Sequence, residues 1–223
     1  MWVVIPVKPF VFAKQRLSAV LTDVERAQLA RVMLQDLLTT LGRCRGVSGT
    51  LLVSQEEAVP GLARQFGICA LHEEGRGLSR AVSQAGEFLA GRGETRMLML
   101  PGDVPMATAD EIETIVRQHH GPTQITIVAD REGFGTNALA VSPPGLMEFH
   151  FGRESFQAHC AAAEVAGAAV QVLSLPGLAF DIDTPDDLRN LMTYDTEAET
   201  LAYLCDREIQ TRVLPRHQVQ SAW

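Results

Sequence analysis

Short apolar segments alternate with longer helix-forming segments along most of this chain, and that alternation limits the folds open to it. The segments with strand character are residues 2–5, 51–54, 68–71, 97–100, 125–129, 138–142 and 170–175. Helical spacing or capping residues mark residues 23–41, 60–66, 78–89, 108–118 and 155–165. The expected caps are Thr22 or Asp23, a capping box of Thr108 with Glu111, and Thr184, and the first helix is expected to end at Gly42. Strands joined through helices usually pair in parallel, with helices covering both faces of the sheet. The alternation therefore predicts a single α/β domain with three αβα layers, Rossmann-like, around a mostly parallel mixed sheet.

The length of 223 residues suits one such domain followed by a short arm. We assign residues 1–192 to the domain, and residues 193–223 to a C-terminal helix and a polar tail. That helix is expected over about residues 196–209, with Leu201 and Leu204 on one side. Two interpretations stay open, because the helix can pack on its own domain or on a partner subunit of a homodimer.

The formal net charge of −8 and the pI near 5.2 argue against nucleic acid or an anionic membrane as a partner. Both would require a basic surface. A small polyanion is still compatible if local cations and a divalent metal ion neutralise it. No apolar run approaches the ~20 residues of a membrane span, and we expect a cytoplasmic protein. The four cysteines have neither zinc-site nor disulfide spacing, which predicts free thiols.

The chain contains only two lysines, Lys8 and Lys14, and both follow the first predicted strand. Pro6 and Pro9 interrupt the strand pattern, so the lysines belong to a loop. In parallel sheets, ligands bind beyond the carboxyl ends of the strands, where the strand order reverses. One interpretation is a loop that offers cations to a polyanion. An exposed loop with solvated lysines is an equally open alternative.

Asp103 follows the fourth apolar segment within the sequence Gly-Asp-Val-Pro. It is a candidate ligand for Mg²⁺, which is usually held by one or two carboxylates and by substrate phosphates. A turn aspartate that stabilises its own backbone is the alternative. Asp181 and Asp183 are candidates for a second ligand, because residues two apart in an extended segment point the same way. Asp186 and Asp187 have the positions of ordinary first-turn acids of a helix.

Two further segments offer neutral hydrogen-bond donors. Thr136 and Asn137 follow a glycine that permits close approach to a ligand, although this pattern is also typical of a turn. Ser155 is the expected N-cap of a helix, where free backbone N–H groups form an anion site or belong to a simple cap. His159 lies one turn later and is a candidate for the same pocket. The histidines interpreted as surface or packing residues are His119, His120, His150 and His217.

The order of these motifs is more specific than any single motif. The motifs are IPVKPF-x-x-AK-x-RL, a Gly-Leu-x-x-Ala loop, GDVP, GTNAL, FG-x-x-SF-x-x-H and DIDTPDDL. Over residues 2–192, this order resembles the CofC/FbiD guanylyltransferases of deazaflavin coenzyme F-420 biosynthesis. The resemblance implies a GT-A-like nucleotidyltransferase fold. It also implies transfer of GMP from GTP to 2-phospho-L-lactate, phosphoenolpyruvate or 3-phospho-D-glycerate, with release of pyrophosphate.

The resemblance implies roles for the charged residues at the matching positions. Lys8 and Lys14, with Arg16, would bind the triphosphate, and the two lysines would also be catalytic. Asp103 would be catalytic, would contact the nucleotide and would hold Mg²⁺, the expected cofactor. The remaining candidate metal ligands are Asp181 and Asp183.

The resemblance also implies roles for neutral residues. Gly77 and Ser79 match the loop that faces the nucleotide, and Ser79 departs from the asparagine that the family usually has there. Because of this departure, the sequence does not show how the loop contacts the base of the nucleotide. The residues that match or adjoin the family's positions for the phospho-acid are Thr136, Asn137, Gly152 and Ser155.

Two alternatives to this reaction are open. The first is a nucleotidyltransferase for another phosphorylated acceptor, such as a molybdopterin or a sugar phosphate. The absence of a glycine-rich opening loop and the presence of the FG-x-x-SF segment count against it. The second is a non-catalytic nucleotide-binding module, which Mg²⁺-dependent release of pyrophosphate would distinguish from an enzyme.

Overall fold

The computed structural model describes residues 1–75, 77–194 and 198–213, and these residues contain a seven-stranded sheet. The strands are β1 (Trp2–Val7), β2 (Gly49–Ser54), β3 (Cys69–His72), β4 (Met97–Met99), β5 (Gln124–Ala129), β6 (Thr136–Ser142) and β7 (Ala169–Val172). Their order in the sheet is β3-β2-β1-β4-β6-β5-β7. Each neighbouring pair is parallel, except the two pairs that contain β6. The mostly parallel mixed sheet expected from the alternation is confirmed.

The direction of β6 follows from the length of its connection. Residues 130–135 alone join β5 to β6, whereas a parallel crossover needs about a dozen residues or more. The two strands therefore pair antiparallel, with Ile125 opposite Val141 and Ile127 opposite Leu139. As a result, the first residues of β6 lie at the edge where the other strands have their carboxyl ends.

Helices cover both faces of the sheet. They are α1 (Asp23–Leu41), α2 (Val59–Phe66), α3 (Leu78–Gly91), α4 (Ala109–Gln118), α5 (Ser155–Val165), α6 (Pro185–Leu191), α7 (Glu199–Asp206) and α8 (Gln210–Val213). Val3 and Ile5 of β1 share a buried cluster with α1, α2 and α4, while Val4 shares one with α3 and α5. Successive strand side chains point to opposite faces, so this alternation produces the three predicted layers.

Local sequence signals fix where several helices begin. Within the described ranges, three helices have a capping box, in which a threonine accepts from the N3 backbone and the N3 acid accepts from the threonine N–H. The pairs are Thr22 with Glu25, Thr108 with Glu111, and Thr184 with Asp187. The predicted caps Thr108 and Thr184 are confirmed, and of the two alternatives for α1 the structure has Thr22 and not Asp23. The end of α1 at Gly42 is also confirmed.

The C-terminal helix is shorter than predicted and is interrupted. Its expected start at Thr196 lies outside the described residues, and α7 ends at Asp206. Glu208 has a φ of 52°, in the left-handed region, so the helix breaks there before α8. Within the described chain, α7 packs on α1, because the Thr200 hydroxyl donates to Asp36 at 2.5 Å and the side chain of Leu204 is fully buried.

Two other expectations concern the described helices and the thiols. None of the helices in the described ranges is long and apolar enough to cross a membrane. The four cysteines, Cys44, Cys69, Cys160 and Cys205, are free, in agreement with their spacing.

Candidate active site

The strand order creates a crevice between β1 and β4. From β1 the chain proceeds to β2 and β3 on one side, and it later adds β4 on the other side. The loops that leave the carboxyl ends of β1 and β4 therefore diverge, which is the usual position of a ligand site in such sheets. A cavity of about 420 Å³ lies at this point. The predicted site residues among those that line it are Lys8, Lys14, Arg16, Asp103, Thr136 and Asp183.

The loop after β1 delivers a buried cation to the centre of this cavity. Its two short 3-10 turns, Phe10–Phe12 and Gln15–Leu17, flank Lys14, which has a φ of 53°. The ammonium of Lys14 donates to Asp103 Oδ2 at 2.5 Å and to Asp183 Oδ1 at 2.9 Å. Its side chain is only 5% exposed. The structure therefore contradicts the interpretation of Lys14 as a solvated loop lysine, whereas Lys8 is exposed at the cavity wall.

The electrostatics of this cluster favour the charged forms of Lys14 and Asp183. Burial lowers the pKa of Lys14, but the charges of Asp103 and Asp183 outweigh burial and raise it above its ordinary value. Burial raises the pKa of Asp183, and Lys14 more than offsets this, so the pKa of Asp183 is lowered. The raised pKa of Lys14 and the lowered pKa of Asp183 both result from the strong attraction between these two charges.

Asp181 has different surroundings. Burial, with a further contribution from the charges of Asp103 and Asp183, raises its pKa. Asn137 Nδ2 donates to Asp181 Oδ1 at 3.0 Å. Asp181 and Asp183 therefore have different hydrogen-bond partners. In the part of the chain that the structure describes, no group of three or more His, Cys, Asp or Glu side chains has the arrangement of a metal site.

Asp187 has a larger structural role than that of an ordinary first-turn acid. It is buried, and its Oδ2 accepts from the N–H groups of Asp183 and Thr184 at 3.1 and 2.7 Å. Its Oδ1 accepts from Arg131 at 2.5 Å, in the loop before β6. Asp187 thus fixes the turn that presents Asp183 to the cavity. The capping-box spacing from Thr184 was a signal for its position, but nothing in the sequence pattern indicated its burial or its pairing with Arg131.

A second cavity, of about 450 Å³, adjoins the first and shares Lys8 and Phe12 with it. Gln55 and Gly77 line this second cavity. Gly77 has φ 103° and ψ 147°, a conformation open mainly to glycine, and it immediately precedes α3. Sequence patterns did not single out Phe12 or Gln55, because their roles depend on where the loops after β1 and β2 meet.

Ser79 does not line either of these two cavities. Its Oγ accepts from the N–H of Phe151 at 2.9 Å, which joins the start of α3 to the segment before α5. The hydroxyl still has its own hydrogen to donate. The nucleotide role given to Ser79 by the family pattern remains a prediction.

The predicted cap at the start of α5 is wrong by one residue. Glu154 occupies the N-cap position without a side-chain hydrogen bond, and Ser155 is the first helical residue, buried at 3% exposure. The N–H of Ser155 donates to Gly152 at 3.2 Å, and the N–H of Phe156 donates to Phe134 at 3.0 Å. Backbone carbonyls therefore already accept hydrogen bonds from these two N–H groups, which the anion-site interpretation required to be free. Gly152 is exposed, and neither it nor Ser155 lines the two cavities.

Among the described residues, two histidines are fully buried, and each contacts at least one hydroxyl group. His159 Nδ1 lies 3.0 Å from Thr136 Oγ1, which places this histidine directly behind a residue of the cavity wall. His119 lies elsewhere, and its ring nitrogens are 2.9 and 2.6 Å from the hydroxyls of Thr126 and Ser142. His119 is therefore a buried packing residue, as one of the two interpretations had it, and its two hydroxyl partners were not evident from the sequence.

The comparisons with known proteins agree with the geometry. The family model described as "Guanylyl transferase CofC like" matches residues 1–222. A phosphoenolpyruvate guanylyltransferase of Sphaerobacter thermophilus is 38% identical over 190 residues, 84% of this chain and 90% of that protein. A 2-phospho-L-lactate guanylyltransferase of Methanothermobacter thermautotrophicus is 32% identical, with 95% and 92% coverage. A 3-phospho-D-glycerate guanylyltransferase of Colwellia psychrerythraea is 31% identical, with 85% and 90% coverage.

Solved structures support the fold. A crystal structure from Desulfovibrio desulfuricans G20, described as a candidate nucleotide-diphospho-sugar transferase, has a TM-score of 0.76. It covers 95% of this chain and 96% of its own at 18% identity. A 4-diphosphocytidyl-2C-methyl-D-erythritol synthase has a TM-score of 0.60 at 14% identity, with 86% and 96% coverage. At these identities, the likeness shows a nucleotidyltransferase-like α/β fold and no more.

Proposed function

Because the chain belongs to the CofC-like guanylyltransferase family, we propose that it transfers GMP from GTP to a phosphorylated three-carbon acid. A phosphate oxygen of the acid attacks the α-phosphorus of GTP and forms a new P–O bond. The bond between the α-phosphorus and the bridging oxygen breaks, and pyrophosphate leaves with that electron pair. One observation carries the proposal. The strand-order crevice of a family member brings together a buried lysine, a cluster of carboxylates and a hydroxyl.

The nucleophile itself does not require a protein base. The second pKa of a phosphate monoester is about 6, so the acid's phosphate is largely ionised at neutral pH. The remaining obstacle is the repulsion between two anions. Positive charge fixed in the site before the reaction reduces this repulsion and stabilises the charge that develops on pyrophosphate.

Lys14 is suited to that task because its ammonium is already oriented. It has three N–H donors, of which two bond to Asp103 and Asp183. The third is free to donate to a phosphate oxygen in the cavity. Lys8 and Arg16 line the same cavity and supply further positive charge to the triphosphate.

The acids of this cavity fit a magnesium ion. Asp103 and Asp183 share Lys14. Asp181 is half-buried and does not line the cavity, but burial and, to a smaller extent, the charges of both acids raise its pKa, so additional positive charge near it would be favourable. We assign Mg²⁺ to Asp103 with Asp181 or Asp183, because Mg²⁺ usually takes one or two carboxylates and keeps substrate phosphates as its other ligands. When bound, Mg²⁺ neutralises phosphate charge and orients the reacting groups.

The two cavities suggest a division of the substrates. The nucleoside of GTP would occupy the second cavity, beside Gly77 and Gln55, so that its phosphates reach Lys14 in the first. The acid would then lie against Thr136, which lines the first cavity. Relatives at 36–38% identity are named as phosphoenolpyruvate guanylyltransferases, although others with that name are 32% identical, and relatives named for the other two acids are 28–32% identical. We therefore rank phosphoenolpyruvate first among the acids.

The test is incubation of the purified protein with GTP, Mg²⁺ and each of the three acids in separate reactions. Mass spectrometry identifies a guanylated acid, and a coupled assay measures pyrophosphate. We expect product with phosphoenolpyruvate and loss of turnover after chelation by EDTA. If product forms only with one of the other acids, that acid takes the place of phosphoenolpyruvate as the preferred substrate. Absence of pyrophosphate with every acid and every nucleoside triphosphate would support a binding module instead.

A further inference from the structure

His159 of α5 joins the backbone before this helix to the wall of the cavity. Its Nε2 accepts a hydrogen bond from the N–H of His150 at 3.0 Å. Its Nδ1 lies 3.0 Å from the hydroxyl oxygen of Thr136. The imidazole is fully buried, whereas Thr136 lines the cavity that also contains Lys14 and Asp103.

These two contacts determine which nitrogen carries the proton. A backbone N–H can only donate, so Nε2 must accept and cannot carry hydrogen in this arrangement. The neutral imidazole then has its hydrogen on Nδ1. That N–H donates to Thr136 Oγ1, which makes the threonine oxygen an acceptor and directs its own hydrogen away from the ring.

The surroundings maintain the neutral form of the ring. Burial, with a smaller contribution from His150, lowers the pKa of His159 to about 4. The rings of Phe151 and Phe149 lie edge-on to the imidazole, with centroid distances of 4.6 and 6.4 Å. An apolar enclosure of this kind leaves little freedom for the ring to rotate or to gain a proton.

We infer that His159 is a positioning residue that holds the Thr136 hydroxyl as a hydrogen-bond donor into the cavity, toward an anionic oxygen of the phosphorylated acid. A free threonine hydroxyl can either accept or donate. Because the Thr136 oxygen already accepts a hydrogen bond from Nδ1–H, the hydroxyl donates its hydrogen into the cavity. This arrangement favours binding of an anionic acceptor over binding of a neutral donor group. The inference rests on the proposed function, because it assigns Thr136 to the acid and not to GTP.

Two substitutions of His159 separate its two contacts. The amide nitrogen of His159→Asn lies near the position of Nδ1 and retains a donor for Thr136. The amide of His159→Gln extends toward the position of Nε2 and retains the contact with His150 alone. A third variant, Thr136→Val, removes the hydroxyl with little change of shape.

The measurement is steady-state kinetics with the acid and GTP varied separately. His159→Gln should raise the KM of the acid about fivefold and Thr136→Val about tenfold or more, as expected for a lost hydrogen bond to a charged group. His159→Asn should stay within about twofold of wild type, and KM for GTP should stay within about twofold in all three variants. The double variant should have nearly the same KM for the acid as Thr136→Val alone, because both substitutions remove the same interaction.

His119→Gln is the matched control, since it also removes a fully buried imidazole. His119 contacts the hydroxyls of Thr126 and Ser142 and does not line either cavity. It should lower the melting temperature and leave both KM values unchanged. Three results would overturn the positioning role. The first is an equal rise in the KM of the acid for His159→Gln and His159→Asn, and the second is a rise for His159→Gln that adds to that of Thr136→Val. The third is a change in melting temperature alone. A wild-type protein without guanylyltransferase activity would overturn the proposed function itself, so the two failures are distinguishable.

Discussion

The ammonium of Lys14 lies 2.5 Å from a carboxylate oxygen of Asp103, although 89 positions separate the two residues in the sequence. One follows β1 and the other follows β4, and these strands are neighbours in the sheet. The contact joins the loop after β1, which contains Lys14, to the candidate metal ligand Asp103. It makes the crevice between the two strands the place where the substrates' negative charges are expected to meet.

The first prediction concerns Asp103. Its replacement by asparagine keeps the shape of the side chain but removes the charge that Lys14 and a metal ion would share. We expect kcat/KM to fall at least about a hundredfold, as for other groups that stabilise charge in a transition state. The melting temperature should change little, because Asp183 still pairs with Lys14. Asp110→Asn, in the exposed first turn of α4, is the control. Wild-type rates in Asp103→Asn would remove the metal assignment.

The second prediction concerns Asp187, whose Oδ2 holds the backbone of Asp183 and Thr184. Asp187→Asn removes charge and acceptor capacity from a buried position, and should cost about 1–3 kcal/mol of unfolding free energy. Turnover should fall as well, because the turn that presents Asp183 loosens. Urea unfolding and steady-state kinetics measure the two effects.

The matched control for Asp187 is its neighbour Asp186, which is exposed and pairs with Arg189 on the surface. Asp186→Asn should change the free energy of unfolding by less than about 0.5 kcal/mol, as for most exposed ion pairs. Similar losses in the two variants would show that Asp187 has no special role in the turn.

The third prediction concerns Gly77, whose φ of 103° strains any other residue. A Cβ at this position meets no atom within 4 Å, so the cost of Gly77→Ala comes from the backbone alone. We expect a loss of about 1–3 kcal/mol in stability and a higher KM for GTP. Gly91→Ala is the control at the end of the same helix, where space is also open and φ is not in the left-handed region. It should stabilise the protein by up to about 1 kcal/mol.

The fourth prediction concerns pH. Burial, with a smaller contribution from Arg96, lowers the pKa of His119 from 6.5 to about 4. The unfolded chain therefore binds a proton at a higher pH than the folded chain, and stability is lost as the pH falls from about 6.5 toward 4. This histidine alone should account for roughly 1–2 kcal/mol between pH 7 and pH 5. His119→Gln should narrow the difference between unfolding free energies at these two pH values. An unchanged difference would contradict the assignment.

Signals that act over three or four residues were sufficient to predict much of the fold. Thr108 and Glu111 form a capping box as expected, because both partners lie on one turn. The segments of apolar residues located the seven strands, since burial on both faces requires such runs. The predicted helix over residues 155–165 is confirmed, but the same reasoning failed for its cap, because Glu154 occupies the N-cap position and Ser155 is the first helical residue.

By itself, the sequence determined the alternation of strands and helices and the order of the motifs. These identify the family and the edge of the sheet where the candidate site is expected. The tertiary structure decided which side chains meet there. The pairs Lys14 with Asp103 and Thr136 with His159 join segments 89 and 23 positions apart. No local pattern encodes such pairs, because they depend on strand order and on how the loops and helices pack against the sheet. Burial then sets their protonation, since the cost of desolvation exists only after the chain has folded.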